Sequence, residues 1–322
     1  MAVIGYHASH EQFPPSQLKD WVIKAEEAGF QAINSSDHFN PWSERQGQSG
    51  FSFAWLGAVM EATSLPFGMV CAPGQRYHPA IVAQAAATLA EMFEGRFSMA
   101  LGSGEALNER ITGERWPSKQ ERNERLLECV RIMRGLLAGD TVTHSGKVKV
   151  DSARLYTRPR QKPMLLAAAL TPETAGWAGE WADGLITINQ SLPRLRDIVE
   201  TFRRGGGQNK PLHLKLQLSY HQTDEAALAG AYDQWRNNIL PEDQLGDIWK
   251  VEDFDRKGDK VRPEDLHEFV HISADMKKHI AWIRQYIDLG FEQIILHNVN
   301  REQAMFIKDF GGFVLPALKG FS

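Results

Sequence analysis

An acid, a histidine and a tryptophan lie within six positions of one another in the segment SSDHFNPW, residues 35–42. Asp37, His38 and Trp42 directly follow the strand-like run QAIN. An imidazole has an unperturbed pKa of about 6.5, so His38 can accept or release a proton near neutral pH. A capped turn with a hydrogen-bonded histidine and a packed tryptophan gives the same pattern, and spacing alone leaves both interpretations open.

A second segment with chemical potential, SMALGSGEALNE, covers residues 98–109. Gly102 and Gly104 flank Ser103 where a strand would turn into a helix, which lets a planar ligand or an anion approach the backbone N–H groups. Glu105 follows at once and would serve as an acid if it were partly desolvated. A plain tight turn explains the two glycines about as well.

The elements that must position these residues alternate between apolar strands and amphipathic helices. Near-continuous apolar strands of this kind indicate a parallel sheet covered by helices, and eight units predict one closed (β/α)₈ TIM barrel, an α/β fold that spans residues 1–322 as a single domain. The eight predicted strands are AVIGYHA (2–8), QAINSSD (31–37), FGMVCAP (67–73), FSMALGSG (97–104), PMLLAAA (163–169), GLITIN (184–189), HLKLQLSY (213–220) and QIILHNV (293–299).

In such a barrel the reactive groups follow the carboxyl ends of the strands. We therefore expect His38 and Glu105 on opposite sides of one mouth, acting as base and acid on a substrate between them. The same rule places several other polar residues at this mouth, namely His7, Glu11, Asp37, Cys71, Gln75, Ser103, Asn108 and Asn189.

Composition indicates what kind of ligand the protein binds and where in the cell we expect it. A formal net charge of -4 gives no electrostatic reason to expect nucleic acid, so a small organic molecule is the better expectation. No window approaches the roughly 20 apolar residues of a membrane helix, and no signal segment opens the chain. The two cysteines, Cys71 and Cys129, indicate no disulfide framework. We expect a cytoplasmic protein with no membrane partner.

Motifs that are absent exclude further classes of enzyme. The chain has no GxxxxGK[ST], HExxH, GxSxG or CxxC, which argues against a P-loop, a zincin, an α/β-hydrolase and a thiol redox site. A metal-dependent hydrolase built from His38, His78 and Glu105 stays open as an alternative, although the spacing supports it little and we expect no metal. A charge-rich insertion at 239–273 precedes the last unit and is either a lid or an inert surface excursion.

Several segments resemble the luciferase-like superfamily of flavin- and F420-dependent oxidoreductases. They are HASHEQFPP (7–15), SDHFNPW (36–42), RYHPAIVAQAAATL (76–89), GRFSMALGSGEALNE (95–109) and WADGLIT (181–187). The branch that these segments resemble most is the F420-dependent glucose-6-phosphate dehydrogenase group, including members that use FMN. The resemblance implies a barrel mouth that binds FMN or coenzyme F420, with hydride passing between a small organic substrate and the ring, in a monooxygenase or a dehydrogenase.

The resemblance also implies roles for individual residues. His38 would be the base, Glu105 the proton donor and Trp42 the residue that shapes the reacting centre. Glu11 and His7 would belong to the substrate pocket. The residues implied to contact the cofactor are Asp37, Met69, Val70, Ser103, Gly104, Asn108, Leu170 and Thr171, with a non-proline cis peptide at Met69–Val70. The resemblance further implies a homodimer formed through the early helices, which is typical of this family.

The chain also departs from the sugar-phosphate branch. A lysine in the loop after the sixth strand is replaced by Ser191, so phosphate recognition would depend on Lys257, Lys260, Arg262 or Lys277. Leu170 and Thr171 stand where these relatives have a glycine pair at the cofactor phosphate. A barrel that binds flavin without turnover is the alternative from another class, and the presence of His38, Trp42 and Glu105 together argues against it.

Overall fold

A computed structural model of the protein describes residues 2–240 and 242–319. The predicted domain limits at residues 1 and 322, and Pro241 of the insertion, lie outside the described residues. Among the described residues, no helix is both long and apolar enough to cross a bilayer.

The strands and helices alternate through most of the chain. The strands are β1 Val3–Ala8, β2 Ala32–Ser36, β3 Phe67–Cys71, β4 Phe97–Leu101, β5 Val142–Ser145, β6 Lys149–Ala153, β7 Met164–Ala168, β8 Leu185–Ile188, β9 Leu212–Ser219, β10 His271–Ile272 and β11 Gln293–Asn298. The helices are α1 Pro15–Glu27, α2 Ser52–Glu61, α3 Pro79–Met92, α4 Ala106–Glu109, α5 Lys119–Ala138, α6 Pro172–Trp181, α7 Leu192–Phe202, α8 Asp224–Trp235, α9 Glu242–Leu245, α10 Val251–Gly258, α11 Met276–Asp288, α12 Gln303–Asp309 and α13 Leu315–Leu318.

Local sequence explains where the larger helices begin and end. Helix α1 has a proline in its first turn and buries Leu18, Trp21 and Val22 on one face. At the start of α5, Ser118 and Glu121 form a capping box in which each side chain binds the other residue's backbone. The same helix ends at Gly139, whose φ of 92° is one that favours glycine.

Eight of the strands close into a barrel. The sheet runs β11-β1-β2-β3-β4-β7-β8-β9, every neighbouring pair is parallel, and β9 also pairs with β11. Strand β10 pairs in parallel with the carboxyl end of β9, at Leu218 and Ser219. Strands β5 and β6 form a separate antiparallel hairpin. The TIM-barrel prediction is confirmed, and all eight predicted strands are present close to their predicted positions.

Side chains alternate between the inside and the outside of the barrel, as the pleat of each strand requires. An inner layer of apolar side chains fills the interior: Val70, Ala100, Leu166, Ala168, Ile186 and Ile295. The leucines of β9 lie in the outer core between strands and helices. Because of the alternation, His213, Lys215 and Gln217 on the same strand point into the barrel.

One backbone prediction is wrong. Every peptide bond among the described residues is trans, including Met69–Val70. Strand β3 pairs with both neighbours without interruption, with Val70 opposite Ser36 on one side and opposite Ala100 on the other. This regular ladder has no bulge at the position where the cis bond was expected.

Candidate active site

Glu11 and His38 meet at the mouth of the barrel, on the segments that follow β1 and β2. The Nδ1 atom of His38 lies 2.5 Å from Oε1 of Glu11, and Ser9 Oγ donates to the other Glu11 oxygen at 2.8 Å. A carboxylate this close favours the proton on Nδ1, which leaves the lone pair of the neutral imidazole on Nε2. The pair therefore favours the tautomer that a general base needs.

Glu105 lies on the other side of the imidazole, directly before α4. Its Oε2 atom is 3.9 Å from Nε2 of His38, and its side chain is 35% exposed. At this distance one hydroxyl group can lie within hydrogen-bond reach of both atoms when it approaches from the side. The two groups therefore line the mouth side by side, and their action as base and acid on one substrate stays a prediction.

Burial and charge perturb all three groups. Burial acts to raise the pKa of Glu11, but the neighbouring His38 outweighs it and holds that pKa well below its usual value. Burial also acts to lower the pKa of His38, and the Glu11 and Glu105 carboxylates together raise it above the ordinary 6.5. Burial raises the pKa of Glu105. Groups poised in this way are typical of proton-transfer sites.

Trp42 packs against the imidazole edge to face. The two ring centroids are 5.4 Å apart at an interplanar angle of 88°. On its other side Trp42 meets Phe254 of α10, with centroids 5.2 Å apart at 87°. The insertion thus reaches the candidate site through Phe254 and holds the indole in place.

Asp37 is turned away from solvent and paired. Its Oδ2 atom lies 2.9 Å from Nη2 of Arg76, and the guanidinium Nε of Arg76 is 3.5 Å from Glu109. All three side chains are almost completely buried. Sequence reasoning did not single out Arg76 or Glu109, although both belong to the segments that carry the family resemblance. The contact of Asp37 with a cofactor stays a prediction.

Asn108 organises the loop that carries His38. Its Oδ1 atom accepts hydrogen bonds from the backbone N–H groups of Phe39 and Asn40, at 2.9 and 3.1 Å. The side chain of Asn40 returns a bond to the Leu107 carbonyl at 2.7 Å. The loops after β2 and β4 are thereby tied together, which sets the position of His38 relative to Glu105.

The other predicted cofactor residues of β3 and β4 differ in where they point. The side chain of Met69 is buried in the outer core, between the strands and the helices. The side chain of Val70 lies in the inner layer of the barrel. Ser103 Oγ accepts a hydrogen bond from the Lys119 ammonium at 2.9 Å. Gly104 has a φ of 83°, and a Cβ there would lie 2.9 Å from the Glu109 side chain, so this turn requires glycine.

Leu170 and Thr171 lie between β7 and α6. The Thr171 hydroxyl caps the helix by accepting from the Thr174 N–H at 3.1 Å. The Leu170 carbonyl accepts from the side chain of Gln190 at 3.0 Å. The first turn of α6 is thus capped by the protein itself, and contact of Leu170 and Thr171 with the cofactor stays a prediction.

Several polar side chains lie inside the barrel, and the sequence did not predict the contacts or positions of all of them. His7 packs on His297 with ring centroids 4.4 Å apart, and burial holds the pKa of His7 well below its usual value. Lys215 points into the interior from β9 and was missed altogether. The signal was present in HLKLQLS (213–219), where polar residues occupy alternate positions of an otherwise apolar strand.

The residues considered for a metal do not assemble. His78 begins α3, where its Nδ1 accepts from the Ala80 N–H and its Nε2 lies 2.9 Å from the Lys149 carbonyl oxygen. Across residues 2–240 and 242–319, no group of three or more His, Cys, Asp or Glu side chains is arranged to hold a metal ion. His78 instead serves as the amino-terminal cap of α3.

The mouth suits a flat organic cofactor. The wall formed by β3, β4 and β7 carries small side chains, Val70, Ala100 and Ala168. A Cβ added at Gly102 would meet only Ala168, at an ordinary 3.8 Å, so this wall is open beside Glu105. A separate cavity of about 170 Å³ lies at the opposite end of the barrel, lined by Gly68, Arg96, Met164 and His213 among others, and takes no part in this site.

Comparison with known proteins gives a consistent result. The model of the luciferase-like monooxygenase family matches residues 1–293. An F420-dependent glucose-6-phosphate dehydrogenase of Nakamurella multipartita is 35% identical over 98% of this chain and 96% of its own length. The structure of an F420-dependent secondary alcohol dehydrogenase in complex with an F420-acetone adduct is 30% identical, with a TM-score of 0.91 and 99% of each chain covered. The F420-dependent tetrahydromethanopterin reductase of Methanopyrus kandleri, 20% identical with a TM-score of 0.79 over 99% of each chain, shares the fold.

Proposed function

The chain belongs to the luciferase-like monooxygenase family, and from this premise we propose that it is an F420-dependent dehydrogenase that oxidises a secondary alcohol. The observation that carries the proposal is the Glu11–His38–Glu105 arrangement, with Nε2 of His38 free of the Glu11 contact and turned towards Glu105. When bound, coenzyme F420 supplies a ring carbon that accepts a hydride. The residues at the mouth perform the proton chemistry.

His38 removes the hydroxyl proton of the alcohol. As the carbon–hydrogen bond breaks and the hydride leaves, the oxygen–hydrogen electron pair becomes the second bond of the carbonyl product, and the proton passes to Nε2. The Glu11 carboxylate stabilises the imidazolium that forms, since it lies against Nδ1. Glu105 lies beside Nε2, and burial raises its pKa, which favours the role of proton donor for this residue.

Cofactor choice supplies the direct test. Purified protein is titrated with F420 and, separately, with FMN, and binding is followed by the change in cofactor fluorescence. We expect saturable binding of F420 and at least about tenfold weaker binding of FMN, a difference of about 1.4 kcal/mol. Tighter binding of FMN would contradict the choice of F420, and no saturable binding of either would contradict the function as a whole.

We further propose that the insertion at 239–273 is a lid that positions Trp42. It bonds to the loops that carry the site: Ala106 N–H donates to the Gly246 carbonyl at 3.0 Å, and Ser43 Oγ donates to Asp255 at 2.6 Å. The apolar contact of Trp42 with Phe254 adds to these bonds. Helices α9 and α10 therefore act on the substrate pocket through the loops and not through the barrel.

Replacing Phe254 with alanine tests the lid. Phe254 is completely buried, so the change leaves a cavity and is expected to cost about 3–5 kcal/mol of local stability. We expect a raised KM for the alcohol and a lower kcat, measured with F420 in excess, because Trp42 loses its support. Phe269→Ala is the matched control, since Phe269 lies in the same insertion but is 42% exposed. Equal kinetics in the two variants would argue against the lid.

A homodimer through the early helices is also proposed. Phe51, directly before α2, is 53% exposed, and its ring lies 5.8 Å from Phe53 and 6.2 Å from Tyr77. Ile81, one turn into α3, is also exposed. An apolar group of this kind is typical of a surface that another chain covers. Sedimentation analysis of the chain and of Phe51→Glu tests it, since a dimer that persists unchanged in the variant would place the interface elsewhere.

A further inference from the structure

Lys215 is a cation in an unusual place. It lies in the middle of β9, opposite Ile188 on one side and Ile295 on the other, and its alternate neighbours Leu214 and Leu216 face the outer core. Its side chain therefore points into the barrel. The residue is half-buried.

The ammonium of Lys215 lacks a partner of its own. Among residues 2–240 and 242–319, with the side chains of 242 and 243 left aside, it makes neither a hydrogen bond nor an ion pair. It still acts by charge on the groups of the mouth, lowering the pKa values of Glu11, Glu105 and His38. Burial lowers the pKa of Lys215 itself to about 8, which the two carboxylates only partly oppose. An ammonium that has lost water without gaining an acceptor is costly to keep.

The cations considered earlier for phosphate recognition do not occupy such a position. Lys257 donates to Gln244 at 2.7 Å, and Arg262 is exposed and paired with Asp265 at 2.7 Å. Lys260 and Lys277 are exposed. Ser191, where relatives have a lysine, is exposed at the start of α7. Unlike these four cations, Lys215 is directed towards the reacting groups from inside the barrel.

We infer that Lys215 binds an anionic oxygen of the substrate, so that the protein selects alcohols that carry a carboxylate or a phosphate near the reacting carbon. The inference rests on the proposed alcohol dehydrogenase function. The three donors of the ammonium match a carboxylate or phosphate oxygen as a point charge. The contact is made in a site of reduced solvent access, where a charged hydrogen bond is worth more than at the surface.

Matched substrates test the inference. Lactate and isopropanol differ by a carboxylate in place of a methyl group, and glycerol phosphate supplies the phosphate case. We expect kcat/KM for the anionic alcohols to exceed that for isopropanol, and Lys215→Met to reduce the ratio of these two values about tenfold to a hundredfold. Lys215→Arg is expected to restore part of the preference, because it keeps the charge.

The oxygen acceptor could instead belong to the cofactor, and the same variant distinguishes the two sources. We expect the Kd of F420 to be the same in Lys215→Met and in the unmodified chain. A weakened Kd with an unchanged preference among substrates would assign the contact to the cofactor and overturn the inference. Equal kcat/KM for lactate and isopropanol in the unmodified chain, with no better result for longer hydroxy acids or glycerol phosphate, would overturn it as well.

A measurement without turnover separates this inference from the proposed function. NMR spectra of the Lys215 side chain, assigned by comparison with Lys215→Met, are recorded in the F420-loaded protein while lactate or inorganic phosphate is added. We expect a saturable shift and a raised pKa of Lys215, because a bound anion favours the charged form. No shift with either anion would contradict the role of Lys215, even if alcohols are oxidised. A shift in a protein that oxidises no alcohol would contradict the proposed function alone.

Discussion

Replacing His38 with alanine is expected to reduce kcat for alcohol oxidation by about 10²- to 10⁴-fold, the range that a positioned general base contributes. The reason is geometric: Nε2 of His38 carries the free lone pair, because Glu11 lies 2.5 Å from Nδ1. The measurement is the steady-state rate of F420 reduction. The Kd of F420 is expected to stay within a few-fold of that of the unmodified chain, since the cofactor-facing wall is formed by other strands.

Two further variants sharpen this test. His38→Gln can still donate to Glu11 but cannot act as a base, so it is expected to be as inactive as His38→Ala. His267→Ala is the matched control, because it removes an imidazole at an exposed position. Added imidazole is expected to restore part of the activity of His38→Ala. An unaffected rate in His38→Ala would favour the alternative of a barrel that binds its cofactor without using this residue.

Replacing Glu11 with glutamine is expected to shift the pH dependence of the reaction as well as its rate. The base must be neutral to accept a proton, so kcat/KM rises as pH increases through the pKa of His38. The carboxylates raise that pKa above 6.5, which places the rising limb above this value in the unmodified chain. Without the Glu11 charge, the burial of the imidazole lowers the pKa of His38. The rise of kcat/KM with pH is therefore expected to move to lower pH.

The rate of Glu11→Gln is also expected to fall, by about a hundredfold, because the amide no longer fixes the tautomer. The measurement is a pH profile of kcat/KM for the variant beside the unmodified chain. Glu91→Gln, an exposed position on α3, controls for the loss of one charge. A rising limb that moves to higher pH, or does not move, would show that His38 is not the group that titrates.

The regular part of the molecule could be predicted from sequence because its signals are local. The hydrophobic periodicity of each βα unit predicts its strand and its helix. Because active-site residues of such barrels follow the carboxyl ends of the strands, His38 and Glu105 are then predicted to lie close together. Helix α2 was not predicted, whereas the helix predicted over Arg301–Lys319 is present, with a π-helical stretch at Phe310–Val314 that joins α12 to α13. Helix α2 does support the site, because Ser52 donates to the Ser36 carbonyl at 2.6 Å, directly before Asp37 and His38.

The detailed geometry of the site depends on contacts that no local pattern encodes. The distance between His38 and Glu105 is set by Asn108, which binds the backbone of the neighbouring loop. The position of Trp42 is set by Phe254 in a distant insertion. The cis bond expected at Met69–Val70 came from resemblance alone, and the regular pairing of β3 contradicts it. Lys215 was not predicted as a site residue because it lies within a strand, whereas the rule on barrel active sites singles out the residues that follow the strands.

The fate of the carbinol hydrogen decides whether the protein passes a hydride from a secondary alcohol to F420. Isopropanol or lactate with deuterium on the reacting carbon is incubated with the protein and a stoichiometric amount of F420, and the reduced cofactor is examined by mass spectrometry and NMR. We predict that the deuterium appears on the hydride-accepting ring carbon of F420 and that His38→Ala slows its appearance. Reduced F420 without deuterium, or no reduction by any secondary alcohol while F420 is bound, would contradict the account.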